Sequence, residues 1–155
     1  MTVHLHLPFP LSVNALYKNV GKRRAKSKRY IDWLRPATYA LKAQYRGKLI
    51  EGPIMVTLAY KQPDRRRRDV GNLEKCVTDL MTGVVYKDDS QIKILCAHFD
   101  ETDSPIGTRV IIEPISSKIA VNFLKSYENR YATEAVSAPP VTSETASVKE
   151  TRNGN

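Results

Sequence analysis

Residues 65–92 read RRRRDVGNLEKCVTDLMTGVVYKDDSQI, and this stretch contains the pattern on which the fold prediction depends. Apolar side chains recur in it every three or four residues and form one stripe, made of Leu73, Cys76, Val77, Leu80 and Met81. The pattern predicts an amphipathic helix over residues 70–82 whose apolar stripe faces a core. Gly83 is expected to end this helix, because glycine readily adopts the left-handed conformation that follows many helices. The segment VVYKDD then predicts a turn that leads into a strand or mixed segment over residues 90–99.

The sequence on either side of this stretch predicts the remaining elements. Short apolar runs bounded by proline, glycine or polar residues predict three further strands, at residues 3–7, 53–60 and 109–115. A helical repeat begins near Tyr30 and ends near Gly47, and Pro36 predicts a kink or a split into two helices. Residues 117–131 predict a last helix, whereas residues 11–29 have no consistent period and predict a long, mobile basic loop. The order β-α-β-α-β-β favours an α/β (α+β) fold, a small mixed sheet with helices packed on one face.

The length and composition are those of one ordinary soluble domain. The chain has 155 residues, and we expect residues 1–132 to form the domain and the Ala-, Ser-, Thr-, Pro- and Glu-rich residues 133–155 to form a disordered tail. No window approaches the roughly 18 consecutive apolar residues of a membrane span, so we expect no membrane association and a cytoplasmic location. Cys76 and Cys96 lie in apolar runs and are expected to be buried thiols, not a disulfide or a zinc site.

The positive charge is concentrated in two segments. The chain has 25 Lys and Arg against 16 Asp and Glu, a formal charge of +9, and residues 18–29 and 61–68 together contain 12 of these bases. Such density favours a polyanionic partner, for which the phosphates of nucleic acid are the natural candidate. A solvated surface is the alternative, although such surfaces normally mix both signs. The bases that we expect to contact nucleic acid are Lys22, Arg23, Arg24, Lys26, Lys28, Arg29, Arg65, Arg66, Arg67 and Arg68.

Carboxylates follow directly after the arginine run. Asp69 lies at the predicted helix start, and Asp88 and Asp89 lie in the turn about 20 residues on, so a chain reversal at Gly83 would bring the two ends together. Magnesium is usually held by one or two carboxylates together with phosphate oxygens, and it can polarise a scissile phosphate and activate a water. The ammonium of Lys75 could then stabilise the negative charge of the transition state.

Each of these residues also has a purely structural interpretation. Asp69 can serve as a negative charge at a helix N-terminus and Asn72 as a helix cap. Lys75 can be the i,i+4 ion-pair partner of Asp79, and the pair 88–89 can form a turn or cap the next helix.

The central stretch resembles a known family. PDRRRRDVGNLEK, followed by DL and KDDSQI, is similar to the signature of the RusA family of Holliday-junction resolvases, D-x-D-N-x-x-K with D-D about 15 residues later. PLSVNALY near the N-terminus, with Asn14 and Tyr17, is similar to that family's P-x-x-N-x-x-Y element, although one more residue separates proline from asparagine here. The resemblance implies a small α/β homodimer that binds four-way DNA junctions and cuts two strands symmetrically with Mg²⁺, in recombination and repair. It assigns catalysis to Asp69, Lys75 and Asp89, metal binding to Asp69 and Asp89, and a nucleic-acid contact to Asn72.

One position departs from the family pattern, because Gly71 stands where the signature has its middle aspartate. Asp79 lies about 15 Å from Asp69 along a continuous helix, too far to share a metal, and Glu74 is nearer but would point elsewhere unless the helix starts after it. Asp88 is therefore the expected replacement ligand. The departure predicts weakened metal affinity, and it leaves open two alternatives, a junction-binding module without cleavage activity and a basic structural protein of a ribonucleoprotein.

Overall fold

The structure is a computed structural model that describes residues 2–116 and 118–137 of the chain. In chain order its elements are β1 (Val3–Leu7), α1 (Val13–Leu16), β2 (Tyr17–Val20), β3 (Arg23–Lys26), α2 (Lys28–Gln44), β4 (Ile54–Lys61), a 3₁₀ turn at Val70–Asn72, α3 (Glu74–Met81), a 3₁₀ turn at Asp89–Gln91, β5 (Ile92–Phe99), β6 (Gly107–Pro114) and α4 (Lys118–Ser137). The strands predicted at residues 3–7, 53–60 and 109–115 are therefore confirmed to within two residues.

The first of the chain's compact units, which ends at Val121, contains a four-stranded mixed sheet in the order β1-β6-β4-β5. β4 pairs with β5 in parallel, whereas β6 is antiparallel to both β4 and β1. Alternate residues of the strands, such as Leu7, Leu58 and Ile112, are buried on one face, where Leu41 of α2 and Val77 of α3 join the same core. The predicted fold class, a small mixed sheet with helices on one face, is confirmed.

The prediction of a loop over residues 11–29 was wrong. One turn of helix, α1, is followed by the antiparallel hairpin β2-β3, whose turn contains Gly21 in the left-handed conformation at a φ of 58°. At the root of the hairpin, the Ser27 amide donates to the Leu16 carbonyl over 2.9 Å. The guanidinium of Arg24 lies 4.5 Å from the ring centre of Tyr17, so a cation–π contact also supports the pairing.

Two helices differ from their predictions in continuity. α2 runs through Pro36 without a split, because Trp33, Ala37 and Leu41 bury one face of it and this packing offsets the hydrogen bond that proline cannot make. The helix predicted over residues 70–82 is instead a 3₁₀ turn and α3, which begins after Leu73. The C-terminal end is as predicted, with Gly83 at a φ of 75°.

At the C-terminal end, the chain divides into two compact units, the first ending at Val121 and the second beginning at Asn122. The predicted last helix is present as α4, which extends to Ser137. Residues 133–137 are thus helical and not disordered, whereas the remainder of the predicted tail, residues 138–155, lies outside the described residues. The predicted domain boundary after residue 132 stays a prediction.

Two further predictions concern the membrane and the thiols. In the part of the chain that the structure describes, no helix is long and apolar enough to span a membrane. Cys76 is buried as predicted and Cys96 is only partly buried, because the strand that contains it lies at the edge of the sheet; both are free thiols. Burial raises the pKa of Cys76 to about 12, so this thiol is unreactive at neutral pH.

Candidate functional site

Asp69 is held in a fixed orientation at the start of the 3₁₀ turn that follows the arginine run. Its Oδ1 accepts a hydrogen bond from the Gly71 amide over 3.0 Å, and its Oδ2 accepts one from the Asn72 side-chain amide over 3.1 Å. Both donors are neutral, the carboxylate is exposed, and each carboxylate oxygen keeps a further lone pair. Asp69 thus caps the 3₁₀ turn, as its structural interpretation allowed, whereas Asn72 caps no helix, since the N-cap residue of α3 is Leu73 and makes no side-chain cap hydrogen bond. The two hydrogen bonds also orient the Asp69 carboxylate for a cation.

Gly71 is not required by the backbone. It is absent from the glycines with positive φ, and a Cβ at this position would meet only Asp69 Oδ1, at 3.6 Å, an ordinary contact. An aspartate would fit here without strain, next to the Asp69 carboxylate. The absence of the family's middle aspartate is thus a property of this sequence that its fold does not impose.

Lys75 lies on the first turns of α3, and its Nζ forms an ion pair with Asp79 Oδ1 over 2.9 Å. The hydrogen bond from Lys75 to Asp79 raises the pKa of Lys75, and the charges of Asp79, Tyr17 and Asp89 add to the effect. The i,i+4 pair considered from the sequence is present. The structure also brings Lys75, Asp79 and Asp89 within electrostatic range of one another.

Asp88 and Asp89 occupy a rigid turn before β5. Asp88 caps the 3₁₀ turn by accepting from the Ser90 amide over 2.9 Å, and Gln91 completes a capping box by accepting from the Asp88 amide over 3.0 Å. Hydrogen bonds from Ser90 lower the pKa of Asp88. Asp89 follows the cap and is exposed. The capping alternative is therefore present for Asp88, and its use as a replacement metal ligand stays a prediction.

The carboxylates do not form a ready three-ligand site. Within residues 2–116 and 118–137, there is no group of three or more His, Cys, Asp or Glu side chains that could hold a metal ion. Magnesium needs only one or two protein carboxylates when substrate phosphates supply further oxygens. Asp69 and Asp89, both exposed acidic side chains, fit that smaller requirement, and their convergence on one ion stays a prediction.

Arg68 has a structural role that the sequence analysis missed. Its Nη1 and Nη2 donate to the two carboxylate oxygens of Asp64 over 2.7 and 3.1 Å, while its guanidinium lies 5.2 Å from the ring centre of Phe9. The hydrogen bond from Arg68 lowers the pKa of Asp64 to about 2. The i,i+4 spacing of Asp64 and Arg68 did not predict this pair, because such spacing brings side chains together on a helix and residues 64–68 are not helical. Among the described residues, Arg65 and Arg67 form no ion pair, so their charges are free for a ligand.

A cleft of about 540 Å³ opens beside Asp69. Asp69 and Asn72 lie on its wall together with four bases, Arg29, Arg66, Arg67 and Arg68. Apolar side chains from the N-terminal segment and from the start of α3 complete the wall, among them Phe9, Leu11 and Leu73. A carboxylate able to bind a cation thus shares one concave surface with arginines able to bind phosphates.

The other predicted bases lie on the hairpin and the start of α2. Lys22, Arg23, Arg24 and Lys26 are exposed on the hairpin. Lys28 forms an ion pair with Asp32 over 2.8 Å, an interaction between exposed groups that a phosphate could replace. These bases extend the positive surface away from the cleft, and their contacts with nucleic acid stay predictions.

Comparison with known proteins agrees with the geometry of this site. The crossover junction endodeoxyribonuclease RusA of Aquifex aeolicus (strain VF5) is 33% identical to the chain over 84 residues, which are 53% of the chain and 66% of that protein, just under two thirds of its length. The sequence model of a family described as endodeoxyribonuclease RusA matches residues 8–113, a range that includes α2, α3 and three of the four strands of the described sheet, β6 except for its last residue. Because this match covers more than half of the chain, the protein belongs to the RusA family.

Proposed function

We propose that the protein is a Mg²⁺-dependent endodeoxyribonuclease that resolves four-way DNA junctions by hydrolysing one phosphodiester bond in each of two strands. The observation that supports this function best is the cleft in which Asp69 lies beside Arg29, Arg66 and Arg67. Arginine binds phosphate oxygens through paired N–H donors, so the cleft can draw a DNA backbone toward the carboxylate. The name of the Aquifex relative, a crossover junction endodeoxyribonuclease, agrees with a junction as the substrate.

Four side chains would have distinct roles in this reaction. Asp69 and Asp89 would hold Mg²⁺, which supplies Lewis-acid polarisation of the phosphate and a more acidic water. Asn72 keeps the Asp69 carboxylate oriented through its 3.1 Å hydrogen bond. The ammonium of Lys75, kept protonated by Asp79, would stabilise the charge that develops on the phosphate oxygens.

We further propose that the protein acts as a homodimer. Symmetric incision of a four-way junction requires two active sites related by a two-fold axis, and a two-fold dimer supplies them with a single interface type.

A second candidate is a junction-binding protein without cleavage activity. It is favoured by one observation, the absence from the described residues of a three-carboxylate metal site, with Gly71 at the position of the family's middle aspartate. This candidate predicts salt-sensitive binding to junctions and no metal-dependent product.

The two candidates differ in one assay. Purified protein is incubated with a labelled synthetic four-way junction and with the matching linear duplex, each with and without Mg²⁺, and the strands are separated on a denaturing gel. Paired nicks near the crossover that require Mg²⁺ and the Asp69 carboxylate support the nuclease. The matched control is Glu51→Gln, which removes another exposed carboxylate and should cut as the parent does. A junction retained on a native gel but never cut, by a protein whose Gly71→Asp variant does cut, supports the binding protein.

A further inference from the structure

The cleft beside Asp69 has two kinds of wall. Arg29, Arg66 and Arg67 are exposed bases on it, whereas Phe9 and Leu11 are partly buried apolar side chains. Its volume of about 540 Å³ falls in the range of roughly 300–1,000 Å³ that is typical of small-ligand pockets. The basic wall is sufficient to bind the phosphate backbone of DNA. The apolar wall can in addition contact a nucleobase.

Arg68 lines the same cleft and is paired more closely than its other arginines, among which Arg66 also lies 3.8 Å from Asp64. Its edge is hydrogen-bonded to Asp64 at 2.7 and 3.1 Å, and Nη1 also donates to the Arg66 carbonyl over 3.1 Å. Its charge is therefore already offset, and its donors are largely used. The guanidinium carbon lies 5.2 Å from the ring centre of Phe9, and the side chain, of which 20% is exposed, lines the cleft. We call the face of the guanidinium that is turned away from Phe9 its open face.

We propose that this cleft receives one unstacked nucleotide of the bound DNA, with the base lying on the open face of the Arg68 guanidinium and its phosphate on Arg66 and Arg67. A planar guanidinium fixed at its edge and backed by an aromatic ring is a flat platform, and nucleobases stack on arginine planes as they do on aromatic rings. Arg68 is suited to stacking because Asp64 offsets the charge that would otherwise attract a phosphate.

The position of the platform gives it a role. Arg68 immediately precedes Asp69, so a nucleotide held on it would place a phosphate next to the carboxylate that we assign to the metal. Removing a base from the stack costs a few kcal/mol, least where pairing is already strained, and a junction crossover is such a place. The cleft would thus favour junctions over linear duplex. This inference rests on the proposed function for the identity of the DNA.

The test is a binding experiment without metal. The dissociation constant of the parent protein is measured in EDTA for a four-way junction and for a series in which each nucleotide near the crossover is replaced in turn by an abasic residue. We expect one position at which loss of the base weakens binding about tenfold, the effect typical of one stacked base. A change below about twofold at every position would overturn the proposal, because the cleft would then bind backbone alone.

A thermodynamic cycle connects that position to Arg68. Arg68→Lys keeps the positive charge beside Asp64 and removes the plane, so the same abasic substitution should weaken its binding less than about twofold. Arg46→Lys makes the same change in an exposed arginine outside the cleft and outside the two basic segments, and this variant should behave as the parent does. An equal loss in the Arg68→Lys variant and the parent would overturn the stacking assignment.

The outcomes separate this proposal from the proposed function. Metal-dependent cleavage of junctions with no sensitive abasic position overturns the stacking site and leaves the nuclease standing. A sensitive position without cleavage supports the stacking site in a protein that only binds. A protein that does not bind junctions overturns both.

Discussion

Restoring a carboxylate at position 71 should strengthen metal binding by an amount that follows from the local geometry. A Cβ at Gly71 lies 3.6 Å from Asp69 Oδ1, and the carboxyl carbon is about 1.5 Å beyond it, so the two charges in Gly71→Asp would be about 5 Å apart. In exposed surroundings, two like charges at that distance repel by about 0.8 kcal/mol. A divalent cation at a similar distance from the new carboxylate is attracted about twice as strongly, by about 1.7 kcal/mol.

This attraction corresponds to a gain of roughly tenfold in Mg²⁺ affinity, since each 1.4 kcal/mol is a factor of ten. The assay is a Mg²⁺ titration of junction cleavage, in which the activity midpoint of Gly71→Asp should be about tenfold lower than that of the parent. Thermal unfolding gives a second measurement that is independent of activity. Without metal the variant should be slightly less stable than the parent because of the carboxylate repulsion, and Mg²⁺ should stabilise it more.

His4→Asp is the matched control, since it adds one carboxylate at an exposed position of β1, the edge strand on the opposite side of the sheet from β5 and the Asp89 turn. This variant should keep the midpoint of the parent. If Gly71→Asp and His4→Asp give the same midpoint, the new carboxylate does not reach the metal, and the assignment of the ion to Asp69 is refuted.

Three further predictions follow from contacts described above. Asp69→Asn should lower junction cleavage by about 100-fold or more while circular dichroism shows a folded protein, and cleavage at the parent rate would show that the metal lies elsewhere. Asp64, with its pKa lowered to about 2, contributes stability that is fully present above about pH 5 and is lost as the pH falls toward 2. The free energy of unfolding of Asp64→Asn, measured with urea, should therefore fall less than that of the parent over this pH range. Equal losses would show that the pairing of Asp64 with Arg68 contributes nothing to stability. Trp33→Phe removes the 2.8 Å hydrogen bond to the Phe9 carbonyl and should cost about 1–3 kcal/mol in urea unfolding, and an unchanged midpoint would show that water replaces the indole.

The hairpin shows where sequence patterns fail for this fold. The hairpin spans ten residues, 17–26, and six of them are basic or aromatic: Tyr17, Lys18, Lys22, Arg23, Arg24 and Lys26. The two strands therefore show no alternation of apolar and polar residues that would predict them. The strands are held together by antiparallel backbone pairing across a glycine turn, and arginine and lysine side chains of the hairpin pack over tyrosine rings. Tyr17 and Tyr30 meet edge to face at 5.9 Å, a contact between elements that no local pattern predicts. Because most of its side chains are basic, the hairpin has the sequence pattern of a loop although it is a structured element.

The candidate site was predictable in its residues and not in its contacts. The spacing of Asp69, Asn72 and Lys75 selected one short segment as the candidate site, because motif positions are local in sequence, and the functional roles of these residues stay predictions. The break before α3 was not predictable, since the apolar stripe continues across Leu73 while the hydrogen bonds to Asp69 tighten the first turn. Whether a carboxylate faces a metal depends on distances between separate turns, which the pattern of one segment does not determine.

The arginines of residues 65–68 carry the same charge but should contribute differently to the salt dependence of DNA binding. Each phosphate that a base neutralises contributes a slope of about 0.9 to the dependence of log affinity on log salt. Arg67 lines the cleft without an ion pair among the described residues, so Arg67→Gln should reduce the salt slope for junction binding by about 0.9. The double variant Asp64→Asn/Arg68→Gln leaves the net charge unchanged and removes a paired guanidinium, so its affinity should fall while its salt slope stays that of the parent. If the double variant lost as much slope as Arg67→Gln, Arg68 would contact a phosphate, and the separation of this run into phosphate-binding and stacking arginines would be wrong.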